Sequence, residues 1–253
     1  MTIEKITQTE LQDRNSEHKI IVIIPAFNEN NKIKRVVEKI PRNLVTEILV
    51  IDDGSTDSSC DKLHILGASV IKHKTREGIG SAIRDGLKYA LEQNHEIIVV
   101  MAGNDKDETT EITKLLEPII KGEADYVQGS RYLKKGNPGK MPMHRLIFTK
   151  LYSLALSICI LSRVTDGTNG FRAYKSSILK DKRINIFQDW LTESMEYYLS
   201  IKVLKLGYKY KEVPVTKLYP QGVRYKYYTK VKPFSGWLER LKPLFFLTLG
   251  IKK

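Results

Sequence analysis

The stretch KIIVIIPAFNEN, Lys19 to Asn30, carries five consecutive β-branched residues, Ile20 to Ile24, before Pro25 breaks the run and a polar turn follows. A half-buried strand alternates apolar with polar residues, whereas an unbroken apolar run suits a strand covered on both faces, as in a parallel sheet. EILVI (47–51), ASVIK (68–72), EIIVVM (96–101) and DYVQG (125–129) read as further strands. Segments of helical period separate them. Ile33, Val36, Val37 and Ile40 mark one apolar helix face, and Ile79, Ala82, Ile83, Leu87, Ala90 and Leu91 mark another. A third helix is predicted from Glu108 to Lys121. Strands alternating with helices are βαβ units, so the expected fold is α/β, with a mostly parallel central sheet flanked by helices.

After Tyr132 the rhythm changes. KKGNPGKMP (134–142) is a Gly/Pro-rich loop with little to bury. Beyond it the pattern predicts a long helix at about 144–162, a strand at NGFRAYK (169–175), a helix at 191–206 and a strand at YKYKEVPVT (208–216).

A chain of 253 residues, 42% of them hydrophobic, can fill a large core. The formal charge of +13 is concentrated at one end, because residues 201–253 hold thirteen lysines and arginines against Glu212 and Glu239. That imbalance implies a polyanionic neighbour (nucleic acid, an anionic membrane face or a phosphorylated substrate) or, more plainly, a solvated cationic surface. Cys60 and Cys159 form no disulfide framework and no zinc-ligand spacing, and a reducing cytosol fits them. Residues 1–18 are polar, lack the apolar core of a signal peptide and stay outside the expected fold. LYSLALSICIL (151–161) is too short to cross a bilayer, so no transmembrane helix is predicted. The tail PFSGWLERLKPLFFLTLGIKK (233–253) mixes aromatic residues with cations, which suits either an interfacial segment on lipid or packing against the sheet.

In an open α/β sheet the ligand site forms where loops leave the carboxyl ends of the strands. PAFNEN, DDGSTD, AGNDKD and GSRY all follow strands in this way. Asp52 and Asp53 can accept hydrogen bonds from a nucleobase and a ribose, or can form an ordinary Asx turn with Ser55 and Thr56 capping a helix. Glu29, after Pro25, presents the same choice. Arg76 and Gly78 in REGIGSAIRDGL open a helix whose first amides, with a cation beside them, suit phosphate.

Taken in order, IIPAFNE, VIDDGSTD, REGIGSAIRDGL, QGSRY, TDGTNGFRAY and LGYKYKEVPV resemble the family 2 glycosyltransferases of the GT-A fold, most of all the polyprenyl-phosphate sugar synthases of the dolichol-phosphate mannose synthase type. The resemblance implies one GT-A domain over 19–230, and the basic and aromatic composition of 231–253 suits a segment able to lie on an anionic membrane. It implies an inverting transfer from a nucleoside-diphosphate sugar to a polyprenyl phosphate, at the cytoplasmic face of the membrane, with no nucleic acid involved. Pro25, Glu29, Asp52 and Asp53 would line the nucleoside, and Arg76, Gly78 and Arg131 the phosphates. Arg145, and Arg224 and Lys230 in GVRYKYYTK, are further cations suited to a donor diphosphate or an acceptor phosphate. Should the acceptor be a hydroxyl, Asp166 is the preferred base ahead of Glu193 and Glu196, its alternative role being to cap a turn. A lipid phosphate is already ionised near neutral pH and needs little base catalysis.

Such enzymes place an Asp-Xaa-Asp motif after the fourth strand to hold Mg2+ or Mn2+. Here Ala102, Gly103 and Asn104 occupy that place. Asn104 with Asp105 or Asp107 is expected to rebuild the metal site, and Lys106 in place of an ion is the other reading. A soluble transferase acting on a glycan or small-molecule hydroxyl, and a degenerate nucleotide-sugar binder, are the alternatives to the lipid-directed enzyme.

Overall fold

The computed structural model describes residues 18–219 and 235–252. Seven strands form one sheet among them: β1 (Ile20–Ala26), β2 (Glu47–Asp52), β3 (Ser69–Lys72), β4 (Ile97–Val100), β5 (Tyr126–Ser130), β6 (Arg172–Lys175) and β7 (Tyr210–Pro214). Their order is β3-β2-β1-β4-β6-β5-β7. Every pairing is parallel except those of β6, which runs antiparallel to β4 and β5. The mostly parallel α/β sheet expected from the apolar runs is thus the one formed. Ala26 pairs with Asp52 and Ile23 with Val100, so the loops after β1, β2 and β4 leave at a common edge.

The helices are α1 (Asn31–Lys39), α2 (Ile79–Glu92), α3 (Ile112–Ile120), α4 (Met143–Ile160), α5 (Met195–Lys205) and α6 (Ser235–Thr248). Successive residues of β1 point to opposite faces. Ile21 and Ile23 join Ile98 and Val100 in the core that includes residues of α2, α4 and α5, while Ile20, Val22 and Ile24 join Ile97 and Val99 in the core shared with α1 and α3. That double coverage is why the strand has no polar alternation, and each buried isoleucine contributes on the order of 1.5–3 kcal/mol to holding it. Gly86 lets α2 approach closely, since a Cβ there would lie 2.5 Å from Ile23 Cγ2.

Three expectations shift. The helix predicted from Glu108 begins at Ile112, after a 3-10 turn over Thr109–Glu111. The helix predicted from 191 begins at Met195, because Asp189–Leu191 form a 3-10 turn and the Thr192 carbonyl accepts the Gly80 N–H at 2.6 Å. The apolar run at 151–161 is only part of α4, whose 18 residues make it long and apolar enough to cross a membrane by length and composition. Tyr152, Ser153 and Leu156 of α4 are buried, whereas Met143, Ile147, Leu151, Leu154 and Ile158 stand exposed, as does Leu161 just beyond. In α6, Leu244 and Leu247 enter the core while Phe245 is exposed. Residues 1–17, Arg224 and Lys230 lie outside the described residues.

Candidate active site

The turns after β1 and β2 are laced together. The Asn28 N–H donates to Ser55 Oγ at 3.0 Å, and Asn28 Oδ1 accepts the Thr56 N–H at 2.8 Å. Asn28 and Asn30 both hold positive φ, a conformation asparagine tolerates better than most residues. Glu29 is buried between them, with Lys32 Nζ 3.4 Å from its carboxylate. Pro25 pairs with Ile51 in the sheet.

Asp52 and Asp53 have different duties. Asp52 Oδ1 accepts the Ser55 N–H at 2.8 Å, while the buried Oδ2 has no hydrogen bond among the described residues and lies 3.7 Å from Lys72 Nζ as an ion pair. Asp52 also lines a cavity with His64, Ser69 and Lys72. The Lys72 charge offsets part of the cost of burying this oxygen, and a ligand N–H or O–H would supply the hydrogen bond it lacks. Asp53 is occupied: it accepts the N–H groups of Glu77 at 2.7 Å and Gly78 at 3.0 Å and contacts His73 Nδ1 at 3.1 Å.

Those bonds correct one expectation. The amides before α2 were to bind phosphate, yet Gly78 N–H goes to Asp53 and Gly80 N–H to Thr192. Arg76 lies over the Phe27 ring, 4.8 Å from its centroid, and 3.8 Å from Glu193, whose carboxyl burial pushes up from its usual range.

After β5 the guanidinium of Arg131 is buried against Asp166. Nε donates to Oδ2 at 2.6 Å, Nη2 to Oδ1 at 2.7 Å, and Nη2 also to Thr168 Oγ1 at 2.7 Å. Glu212 holds the other side of the turn, accepting the N–H groups of Thr165 at 2.8 Å and Asp166 at 2.9 Å. Asp166 is 0% exposed and gives both oxygens to one arginine, so it does not stand in the cleft as a base. Glu196 supports the buried Arg172, 3.4 Å away.

The loop after β4 departs most from the metal-site expectation. Asp105, at a φ of 57°, turns its carboxylate to α1, where Arg35 Nε lies at 2.7 Å and Lys39 Nζ at 3.0 Å. Asp107 is ion-paired with Lys217 and accepts the Ala102 N–H at 3.3 Å. Asn104 retains a buried Oδ1 with no hydrogen-bond partner among the described residues, a single neutral ligand. A hard divalent ion needs several oxygen ligands with charge to spare, and both aspartates are already neutralised. Asn104, Asp105 and Asp107 therefore do not fit the Mg2+ or Mn2+ site predicted for them. Lys106 is buried in the same loop, 5.1 Å from the centroid of the Tyr219 ring. Burial, then the charges of Arg145 and Lys217, pull its ammonium down to about 7, against the opposing pull of Asp107 and Glu29.

Residues 21–182 match the family described as Glycosyl transferase family 2. The chain belongs to glycosyl transferase family 2. It is similar to the UDP-N-acetylglucosamine–dolichyl-phosphate N-acetylglucosaminyltransferase of Methanococcus voltae, at 31% identity over 64% of this chain and 71% of that protein. It is also similar to the undecaprenyl-phosphate mannosyltransferase of Micrococcus luteus, at 27% identity over 78% and 83% of the two chains. Among solved structures, glucosyl-3-phosphoglycerate synthase from Mycobacterium tuberculosis with Mn2+, uridine diphosphate and glucosyl-3-phosphoglycerate superposes with a TM-score of 0.70 at 19% identity, over 100% of this chain and 88% of that one. This likeness places the chain in the GT-A fold, and family membership makes it a glycosyltransferase. Within family 2 the polar loops converge as the sequence predicts, but their partners differ. Lys217, Glu212 and Asn28 were missed as site residues: Glu212 lies inside a quoted motif without an assigned role, and Lys217 carries no motif signal.

Proposed function

We propose that this family 2 glycosyltransferase moves a sugar from a nucleoside-diphosphate sugar to a polyprenyl phosphate at the cytoplasmic face of a membrane. The observation that carries the acceptor is the apolar stripe of α4. Met143, Ile147, Leu151, Leu154 and Ile158 recur at helical spacing and are exposed. A groove along this helix is lined by Leu154, Ile158, Lys150, Arg163, Tyr132 and Thr165. Tyr132 and Thr165 are the chain neighbours of Arg131 and Asp166, so a lipid chain in the groove would bring its phosphate to the mouth of the cleft. Exposed apolar surface rimmed by cations suits an anionic lipid interface. The polyprenyl-phosphate acceptors named for the two relatives agree with this reading.

On the donor side, Asp52 and Glu29 would line the nucleoside. An acceptor phosphate oxygen would attack the anomeric carbon opposite the diphosphate, the bond to the diphosphate breaking with its electron pair left on the phosphate oxygen. Such an acceptor arrives ionised, which suits a cleft where Asp166 is tied to Arg131. Glu193, with its raised carboxyl beside Arg76, favours a second reading in which a hydroxyl is the acceptor. The test supplies UDP- and GDP-sugars with undecaprenyl phosphate in detergent, against glycerol and oligosaccharide acceptors. Transfer to the lipid is expected; transfer to hydroxyls alone would overturn the lipid reading and support the second.

A further inference from the structure

We propose that the donor diphosphate is held in this chain by protein cations around Lys106 and not by a divalent ion. The inference rests on the donor reading above and concerns the same cleft. The loop that would supply metal ligands has a partner for each carboxylate: Asp105 faces Arg35 and Lys39 on α1, and Asp107 faces Lys217. Asp105 is held at the far side of its own loop by two cations from one helix, at 2.7 and 3.0 Å, so recruiting it to an ion means breaking both contacts and reversing a backbone of positive φ. Between the two aspartates the chain places Lys106, buried and within electrostatic reach of Arg145 and Lys217.

Asp107 is paired with Lys217, and Glu29 opposes Arg145 in the field at Lys106. The buried lysine thus adds a cation to charges that are otherwise matched among the described residues, and a dianion suits that surplus where a divalent ion would increase it. Asn104 remains as a lone neutral oxygen donor, too little to hold a hard ion against that field. An ammonium can donate to phosphate oxygens as a compact charge, and a guanidinium offers them a fork. The backbone keeps this group near the edge of the sheet, because the Lys106 carbonyl accepts the Leu218 N–H at 2.7 Å and so ties the loop to the segment bearing Lys217 and Tyr219. The charge on the departing diphosphate is thus met by fixed side chains, with no requirement for metal in solution.

The experiment titrates UDP and GDP into the full chain by calorimetry, in EDTA and again with Mn2+ or Mg2+, with uridine and guanosine as phosphate-free controls. Mn2+ alone is followed by its electron paramagnetic resonance signal. Expected is nucleotide binding that survives EDTA with affinity changed less than about threefold, and no bound Mn2+ in the absence of nucleotide. Lys106→Met, which keeps the volume and removes the charge, should weaken the nucleotide by about 10- to 100-fold, as expected for loss of a charge-assisted contact, and leave the nucleoside unchanged. Binding of UDP or GDP that disappears in EDTA and returns with Mn2+ would overturn the inference while the donor reading stands. Lys106→Met with wild-type nucleotide affinity and thermal midpoint would overturn it too. Failure of both nucleotides and both nucleosides to bind would remove the donor reading itself, and this inference with it.

Discussion

Arg131 and Asp166, 35 residues apart in the chain, meet in a two-point ion pair at 2.6 and 2.7 Å, with side chains only 3% and 0% exposed. A guanidinium expected to face phosphate instead fixes the turn that follows α4. Arg131→Ala would leave a buried carboxylate without its partner and should cost about 3–5 kcal/mol of stability, while replacing both residues with apolar ones should recover part of that loss. Urea denaturation measures both variants. If Arg131→Ala unfolds like the wild type and loses only nucleotide affinity, the arginine serves the ligand and not the fold.

The exposed stripe of α4 separates lipid contact from stability. Ile147→Glu with Ile158→Glu changes two exposed positions, so the melting free energy should move by no more than about 1 kcal/mol. Sedimentation with anionic phospholipid vesicles and transfer to undecaprenyl phosphate should both fall sharply. Unchanged vesicle binding would show that the stripe does not touch lipid.

Gly78 holds a φ of 105°, and a Cβ there would lie 2.6 Å from the Thr192 carbonyl oxygen. Gly78→Ala should therefore destabilise by about 1–3 kcal/mol through backbone strain, with further loss from the clash. The same change should loosen the Asp53 loop and weaken nucleoside binding, read by calorimetry beside the melting curve.

The two cysteines should react very differently. Cys159 is exposed on α4, whereas Cys60 is buried and its thiol is pushed up to about 11 by burial, with the Asp52 charge adding to it. At pH 8 only about one Cys60 side chain in a thousand would be thiolate, so a disulfide reagent should label one thiol per folded chain. Rapid labelling of two in the native state would mean that the β2–β3 edge opens readily.

The core and the converging loops were readable because local pattern encodes them. Five β-branched residues in a row at Ile20–Ile24 leave no polar face, so the strand must be covered on both sides, and the loop after such a strand in a parallel sheet falls at the ligand edge. The helix starts were less readable. Residues 191–194 have helical composition, but the carbonyl of Thr192 is committed to Gly80 and the helix waits until Met195.

By itself the sequence determined the mostly parallel α/β sheet, the edge where its polar turns gather and the membership in family 2, since periodicity and ordered motifs survive without knowledge of contacts. Only the tertiary structure decided which charged residues face the cleft. Asp166 is committed to Arg131, Asp105 to α1 and Asp107 to Lys217, 110 residues away, while Asp52 Oδ2 has only a 3.7 Å ion pair with the exposed Lys72 and no hydrogen bond among the described residues. A carboxylate has the same letter whether it neutralises a distant cation or awaits a substrate. Burial makes the pairing compulsory, and the partner is chosen by the packing of distant strands and helices, which no local spacing records.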